Sequence, residues 1–297
     1  MRDGVETGDL MPEAGPMPSV ADALLDWLAA VWKAPGPILG PLVGRPGYTL
    51  PDLAGLSVFE LRSGSPIEKI DIKARIGGSG NFLVAPAGWQ PARRLSITVH
   101  EKAKNCILVI GPDANFSGDV NFYAERGAII IGGGMKRICS LAINLWSDDC
   151  AVFWGQKATS NSAKIIVDGE AGRVTIGDDC MFSGGVMIRT SDRHAIISMD
   201  TEEMINLPAN VVLEPRVWLG TGVTVLKGVR IGFGTVVGTQ SIVTRDVGRF
   251  SVAAGQPARV LQTGVGWSRR DTPERGLAQR LRASEAQLDP WSTPAGI

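Results

Sequence analysis

The sequence predicts a mainly-β solenoid, a stack of short strands and tight turns wound coil on coil. A period of six is the first sign of it. Every sixth residue from the start of the series is aliphatic: Leu207, Leu213, Leu219, Val225, Ile231, Val237 and Val243. A companion aliphatic series runs two residues ahead, through Val211, Val217, Val223 and Val229. The third sign is that Gly220, Gly232 and Gly238 directly follow members of the first series. An α-helix asks for a period near 3.6 and a plain strand for a period of 2. A period of six fits a strand, a turn and another strand, each aliphatic side chain pointing to the axis and packing on its equivalents above and below. The glycines are expected where turns need a backbone free of Cβ restraint.

Composition agrees with that architecture. The 37 glycines against 2 tyrosines suit a turn-rich β protein, and 297 residues leave room for one large or two modest domains. Lys plus Arg, at 30, balance Asp plus Glu, at 30, so no overall field argues for nucleic acid. Cys106, Cys139, Cys150 and Cys180 show no CxxC spacing and read as reduced, packed thiols of a cytoplasmic protein. The N-terminal stretch lacks the basic and apolar runs of a signal peptide. No segment reaches the roughly 20 apolar residues of a membrane span.

Taken in order, residues 1–18 read as a disordered leader, 19–94 as an N-terminal helix and small cap region, 95–262 as the solenoid, and 263–297 as a C-terminal helix and tail. In the helix expected from Ser19 to Lys33, Val20, Leu24, Trp27, Leu28 and Val31 share one face, and Pro35 and Pro37 end it. That face is expected to dock on the solenoid or a sister subunit. Membrane contact is the weaker reading, because the polar face carries Asp22 and Asp26 and little positive charge. Ile67, Ile70, Ile72 and Ile76 suggest a strand over 66–76. A β cap over 50–94 would cover the open end of the coils.

The solenoid pattern starts at Leu95, Ile97 and Val99, continues through Ile110, Phe116 and Phe122, and loses its beat over 134–165. It returns at Ile176, Phe182 and Ile188. His194 would continue that phase, but Leu207 onward is out of it by one residue. Residues 196–206 are therefore expected to form an extruded loop with His194 at its base. Leu277, Leu281 and Leu288 mark the C-terminal helix.

Three phrases now carry a family resemblance. Residues 231–238 read IGFGTVVG, 254–260 read AGQPARV, and 190–194 read TSDRH, with Val217-Trp218-Leu219-Gly220 between. Over about 174–268 the chain resembles the hexapeptide-repeat, left-handed β-helix acyltransferases, and is most similar to the branch that O-acetylates sugars and polysaccharides. The resemblance implies acetyl-CoA as cosubstrate, a sugar or polysaccharide acceptor, a homotrimer with sites between subunits, and no metal. With 2 histidines the chain lacks the three that a β-helix carbonic anhydrase needs for zinc.

The implied chemistry is acyl transfer from a thioester to a hydroxyl, which needs a base. An imidazole can take the hydroxyl proton and return it to the leaving thiolate, so His194 is the catalytic candidate. His100, outside any motif, reads as structural. Asp192 orients the imidazole or binds the acceptor, or is a loop residue making a local turn with neither role, which is the plainer reading; Glu214 is an alternative orienting carboxylate. The resemblance places Trp218 at the acetyl-CoA site, where its indole N–H can donate to the thioester carbonyl; a tryptophan packed at a subunit interface is the plainer reading. It also implies that Thr221, Gly238 and Thr239 flank the pantetheine arm, and that Thr244, Arg245 and Arg259 reach the nucleotide end. Gln262 stands where a further basic residue is common, with Arg269 or Arg270 as substitutes and Lys227 as a lesser contributor. The leading expectation is an acetyl-CoA-dependent sugar O-acetyltransferase. N-acetylation of an amino sugar or of a small molecule such as an antibiotic is the alternative, and a non-catalytic scaffold the third.

Overall fold

The computed structural model describes residues 45–62, 70–74 and 79–289. The leader and the helix expected over 19–33 lie outside the described residues.

Twenty-one strands and one helix make up the described chain. Upstream of the His194 loop come β1 (Leu56–Glu60), β2 (Ile70–Ala74), β3 (Phe82–Pro86), β4 (Leu95–Val99), β5 (Ile107–Ile110), β6 (Phe116–Phe122), β7 (Ala128–Ile131), β8 (Cys139–Leu145), β9 (Ala151–Trp154), β10 (Thr159–Val167), β11 (Arg173–Ile176), β12 (Met181–Phe182) and β13 (Val186–Arg189). Downstream lie β14 (Val211–Leu213), β15 (Trp218–Leu219), β16 (Thr224–Val225), β17 (Arg230–Ile231), β18 (Val236–Val237), β19 (Ile242–Val243), β20 (Ser251–Gly255) and β21 (Ala258–Thr263), then α1 (Leu277–Glu285).

The strands form a parallel β-helix. One face stacks β1-β3-β5-β7-β9-β11-β14-β17, and a second stacks β2-β4-β6-β8-β10-β12-β15-β18-β20-β21. Downstream of β10 a third column separates, β13-β16-β19, so each later rung has three short sides. Both ends close with antiparallel strands, β1 on β3 and β21 on β20, which covers hydrogen-bonding edges that would otherwise be open. Parallel pairing reaches upstream of Leu95, where the alternation first becomes legible, through β2 on β4 and β3 on β5.

The rungs have two sizes. In the upstream region Ile107 pairs with Ala128, Ala128 with Ala151 and Ala151 with Arg173, and these are the long rungs. Downstream Val212 pairs with Arg230, Trp218 with Val236 and Thr224 with Ile242, so the rungs from β14 to β19 are three hexapeptides each, while the last step, Val236 to Val252, is two residues shorter. Between the two regions Val174 pairs with Val211. That step is worth two short rungs with a single residue left over, yet only one rung of coil is built from it. The surplus leaves the solenoid, and its odd residue accounts for the phase slip in the sequence.

Leu207, which opened the sixfold series, is 65% exposed and belongs to this insertion. The coil resumes at Val211, whose side chain is fully buried.

Residues 134–165 belong to the coil through β8, β9 and β10, with a register shift between Ser160 and Ala163, although the sixfold beat fails there. Strands β5, β7 and β9 are buried at every position. Leu108, Ile110, Ile129, Ile131, Val152 and Trp154 fill the axis. Val109, Ile130 and Phe153 point outward into a second core closed by Tyr48 and Leu56, with Leu50 and Leu53 packed against it. The chain before β1 thus lies across the first face, anchored by the Thr49 backbone N–H and hydroxyl donating to Asp178 at 3.1 and 2.5 Å.

The glycine expectation needs a correction. Gly220 does not take a left-handed conformation; a Cβ there would lie 2.7 Å from the Thr239 nitrogen on the next rung. Close approach between rungs demands it. The left-handed turn positions fall two residues later, at Gly222 (φ 69°), Gly234 (φ 69°) and Gln240 (φ 59°).

Candidate functional site

The site is built where β13 leaves the coil. Thr190 is buried; its hydroxyl accepts from the Asp168 N–H at 2.9 Å and donates to the Asp168 carbonyl at 2.8 Å, which ties the end of β13 to the rung above. Arg193 takes a left-handed turn (φ 68°), its N–H donating to the Ser191 hydroxyl at 2.9 Å. Its guanidinium lies 3.9 Å from the centre of the Trp146 ring, within cation–π range, and 3.7 Å from Asp168. Trp146 stacks on Tyr123, and Tyr123 on His100, at 3.6 and 3.9 Å between ring centres. His100 is thus the far end of an aromatic column, in keeping with a structural role.

Beyond Arg193, residues 195–208 run outward and fold back, with an antiparallel bridge between Ile197 and Met204. The extruded loop expected over 196–206 is therefore present. Asn206 clasps its base. The Asn206 amide donates to the Asp192 carboxylate at 3.0 Å and to the His194 carbonyl at 2.9 Å, and its oxygen accepts from the Ile196 N–H at 2.7 Å. Lys227, from the turn after β16, donates to Asp192 and to the Asn206 carbonyl, each at 2.6 Å. The Lys227 ammonium, with help from the Asn206 amide, lowers the Asp192 pKa below its ordinary value.

His194 is exposed, with its main chain fixed by this clasp and its ring outside it. Asp192 directs its hydrogen bonds to Lys227 and Asn206. Glu214 does not serve the histidine: it is 2% exposed on another side of the coil, held by Arg230, by Arg249 at 2.7 Å and by the Phe233 N–H at 2.9 Å. Lys227, expected as a lesser contact of the nucleotide end, is instead committed to Asp192 and the Asn206 carbonyl, and nothing in the sequence singled out Asn206.

Trp218 lies on the second face, one rung below Met181, and so is separated within one chain from His194, which lies past the far end of the third column. Its ring sits 5.8 Å from that of Trp267, which gives weight to the packing reading. Yet its indole N–H is buried and has no acceptor among the described residues. A buried donor left unpaired costs about 1–3 kcal/mol, so the site favours an acceptor there.

The remaining candidates fall on the two edges of the third column. Thr221, Gly238 and Thr239 sit on the edge after β15 and β18; Thr244 and Arg245 follow β19, on the edge that carries Lys227. A Cβ at Gly238 would lie 3.0 Å from the Ala254 Cβ, so that edge stays low. Thr221, Thr239, Thr244, Arg245 and Arg259 are all exposed. Arg259, at the start of β21, donates to its neighbour's carbonyl at 2.9 Å; among the described residues neither it nor Arg245 has a carboxylate partner. Small residues with Arg259 on one edge, and Arg245 on the other, suit a slender arm ending in phosphates. Arg269 is not a substitute for a basic residue at Gln262, because its donors go to Asp179 at 2.7 Å, Thr159 at 3.0 Å and the Cys180 carbonyl at 2.8 Å. Arg270 pairs with Glu274 at 3.2 Å.

Among the described residues no cluster of three or more His, Cys, Asp or Glu side chains suits a metal ion, and no helix is long and apolar enough to cross a membrane.

No family model matches the chain. Curated relatives do. The polysialic acid O-acetyltransferase of Escherichia coli O1:K1 / APEC is 37% identical over 123 residues, 41% of this chain and 40% of that protein. The polysialic acid O-acetyltransferase of Neisseria meningitidis is 38% identical over 94 residues, 32% of this chain and 41% of that protein. The chain thus spans about two fifths of the length of these relatives. The crystal structure of the polySia specific acetyltransferase NeuO superposes with a TM-score of 0.61 at 26% identity, covering 73% of this chain and 91% of that one. The described strands share the fold of that acetyltransferase.

Proposed function

We propose that this chain is an acetyl-CoA-dependent O-acetyltransferase that modifies a sugar hydroxyl of a polysaccharide or its precursor, with His194 as general base. One observation carries the reading: an exposed histidine whose backbone is fixed by the Asn206–Asp192–Lys227 clasp, on the edge of the third column that carries Arg245, with the small residues and Arg259 on the opposite edge. The similarity to polysialic acid O-acetyltransferases supports the acceptor class.

Bound acetyl-CoA supplies the acyl group as a thioester. His194 takes the proton from the acceptor hydroxyl and passes it to the departing sulfur. The clasp gives the imidazole a fixed origin; Asp192 acts through it, as a positioning residue. In this reading the Trp218 N–H, buried and without an acceptor among the described residues, donates to the carbonyl oxygen as charge develops there. Arg245 and Arg259 bind the phosphates.

Because Trp218 and His194 occupy different sides of one chain, the complete site is assembled between copies, in a homotrimer. The insertion supports this: Ile196, Ile197, Met199, Ile205 and Leu207 are 50% or more exposed, an apolar patch suited to a second copy.

Calorimetric titration of CoA into the purified protein, with Arg259→Ala in parallel, tests the reading without knowledge of the acceptor. Binding that weakens about tenfold or more in Arg259→Ala supports it. No binding by folded protein sinks it.

A further inference from the structure

A concavity lies on the outer side of the second face, over β10 and β12, with a volume of about 380 Å³. That falls in the range of small-molecule sites. Of the basic residues expected at the donor site, Arg269 alone lines it, and its donors are taken by Asp179 and Thr159 of the pocket wall and by the Cys180 carbonyl. Lys136 and Arg137 approach from the turn before β8, Lys157 from the turn before β10, and Arg269 from the segment after β21.

The charge balance of this pocket is unequal. Asp179 is its one acid, and that carboxylate is already engaged by Arg216 at 2.5 Å and Arg269 at 2.7 Å. Lys136, Arg137 and Lys157 have no carboxylate partner among the described residues, and all three are exposed at the rim. Cations gathered around a concavity without counter-charges raise the local concentration of anions. The floor differs in chemistry: Thr159, Asn161 and Ser183 offer hydroxyl and amide groups, and Met181 offers an apolar surface. Hydroxyl-matching polar groups, an apolar patch and a basic rim together fit a saccharide that carries an acid.

Its position ties it to the proposed chemistry. Met181 in the pocket is the strand neighbour of Trp218. Trp267 packs on Trp218 while Arg269, two residues on, forms a pocket wall. A saccharide held here lies one rung above the indole.

We infer that this pocket is an acceptor subsite for an acidic saccharide, with Lys136, Arg137 and Lys157 reading its carboxylate. The inference rests on the acyltransferase reading for the word acceptor, and on the pocket itself for the ligand class.

The test is calorimetry on the full chain with three probes: a sialic acid trisaccharide, the same trisaccharide with its carboxyls reduced to alcohols, and inorganic phosphate. The variants are Lys157→Ala and the double change Lys136→Ala with Arg137→Ala. The acidic trisaccharide is expected to bind about tenfold or more tightly than the reduced form, to lose about tenfold in the double variant, and to weaken with added salt. CoA affinity is expected to be unchanged in both variants, which also reports that they are folded. Equal affinity for acidic and reduced trisaccharide, or unchanged binding in the variants, overturns the inference. So does phosphate binding as tight as the acidic trisaccharide and equally lost in the variants, since that marks a simple anion site. Loss of the donor reading shows separately, as absent CoA binding in the unmodified protein, whatever the saccharide arms return.

Discussion

At Gly220 an added methyl group would meet the Thr239 nitrogen at 2.7 Å, so Gly220→Ala has to push two rungs apart. The expected cost is about 1–3 kcal/mol, read as a lowered denaturation midpoint. Gly184 has nothing within 4 Å of the corresponding position, and Gly184→Ala should stay within about 0.5 kcal/mol. Equal effects at both sites would show that stacking distance is not what selects glycine. His194→Ala should reduce acetyl transfer by about 10²–10⁴ while CoA affinity is retained; turnover within a few-fold of the unmodified protein would remove His194 as the base. Part of the site was legible one residue at a time. His194 and Asp192 sit in a short phrase, and histidine is scarce. Asn206 and Lys227 were not, because they meet Asp192 only across long stretches of sequence. It takes the folded turn after β16 to bring the lysine ammonium to the loop base.

The inserted loop is the element on which the proposed chemistry turns, and Lys227 holds it shut. Lys227→Met should raise the Asp192 titration toward the ordinary carboxylate value and speed amide exchange over 195–206, both followed by NMR. The pH dependence has a definite sign. The folded-state pKa of Asp192 lies below the unfolded value. The clasp therefore contributes in full above the ordinary carboxylate range, and its contribution is lost as pH falls through the lowered folded value. Loop exchange that ignores both the substitution and acidification would assign the closure to Asn206 alone. The existence of this element followed from a one-residue phase slip, a signal available because solenoid register is strict. The coils over 134–165 escaped the same reading for an opposite reason. The rungs there run 23 and 22 residues, Ala128 pairing with Ala151 and Ala151 with Arg173, which no run of sixes reproduces, and Phe153 is apolar on the outer side because the segment carrying Tyr48 covers it.

Across the whole molecule the four cysteines report on integrity of the coils. All are buried and free. Burial pushes the thiol of Cys150 up to about 11 and that of Cys106 up to about 12, and it raises Cys139 and Cys180 further. Native protein at pH 8 should resist alkylation by iodoacetamide, and denatured protein should take up four groups. Rapid labelling of one cysteine under native conditions would identify a rung that opens. The change in rung length has a further consequence. Phe116, Phe122 and Trp154 fill the axis of the long rungs, whereas Val, Leu and Ile fill that of the short ones. The solenoid therefore has two bores, and its repeats are not interchangeable stock. Excising or duplicating one short rung downstream of the loop joins like to like. Upstream the long rungs differ among themselves, Ile107 to Ala128 spanning 21 residues, Ala128 to Ala151 spanning 23 and Ala151 to Arg173 spanning 22, so a whole turn moved there does not restore register as one does between β14 and β19.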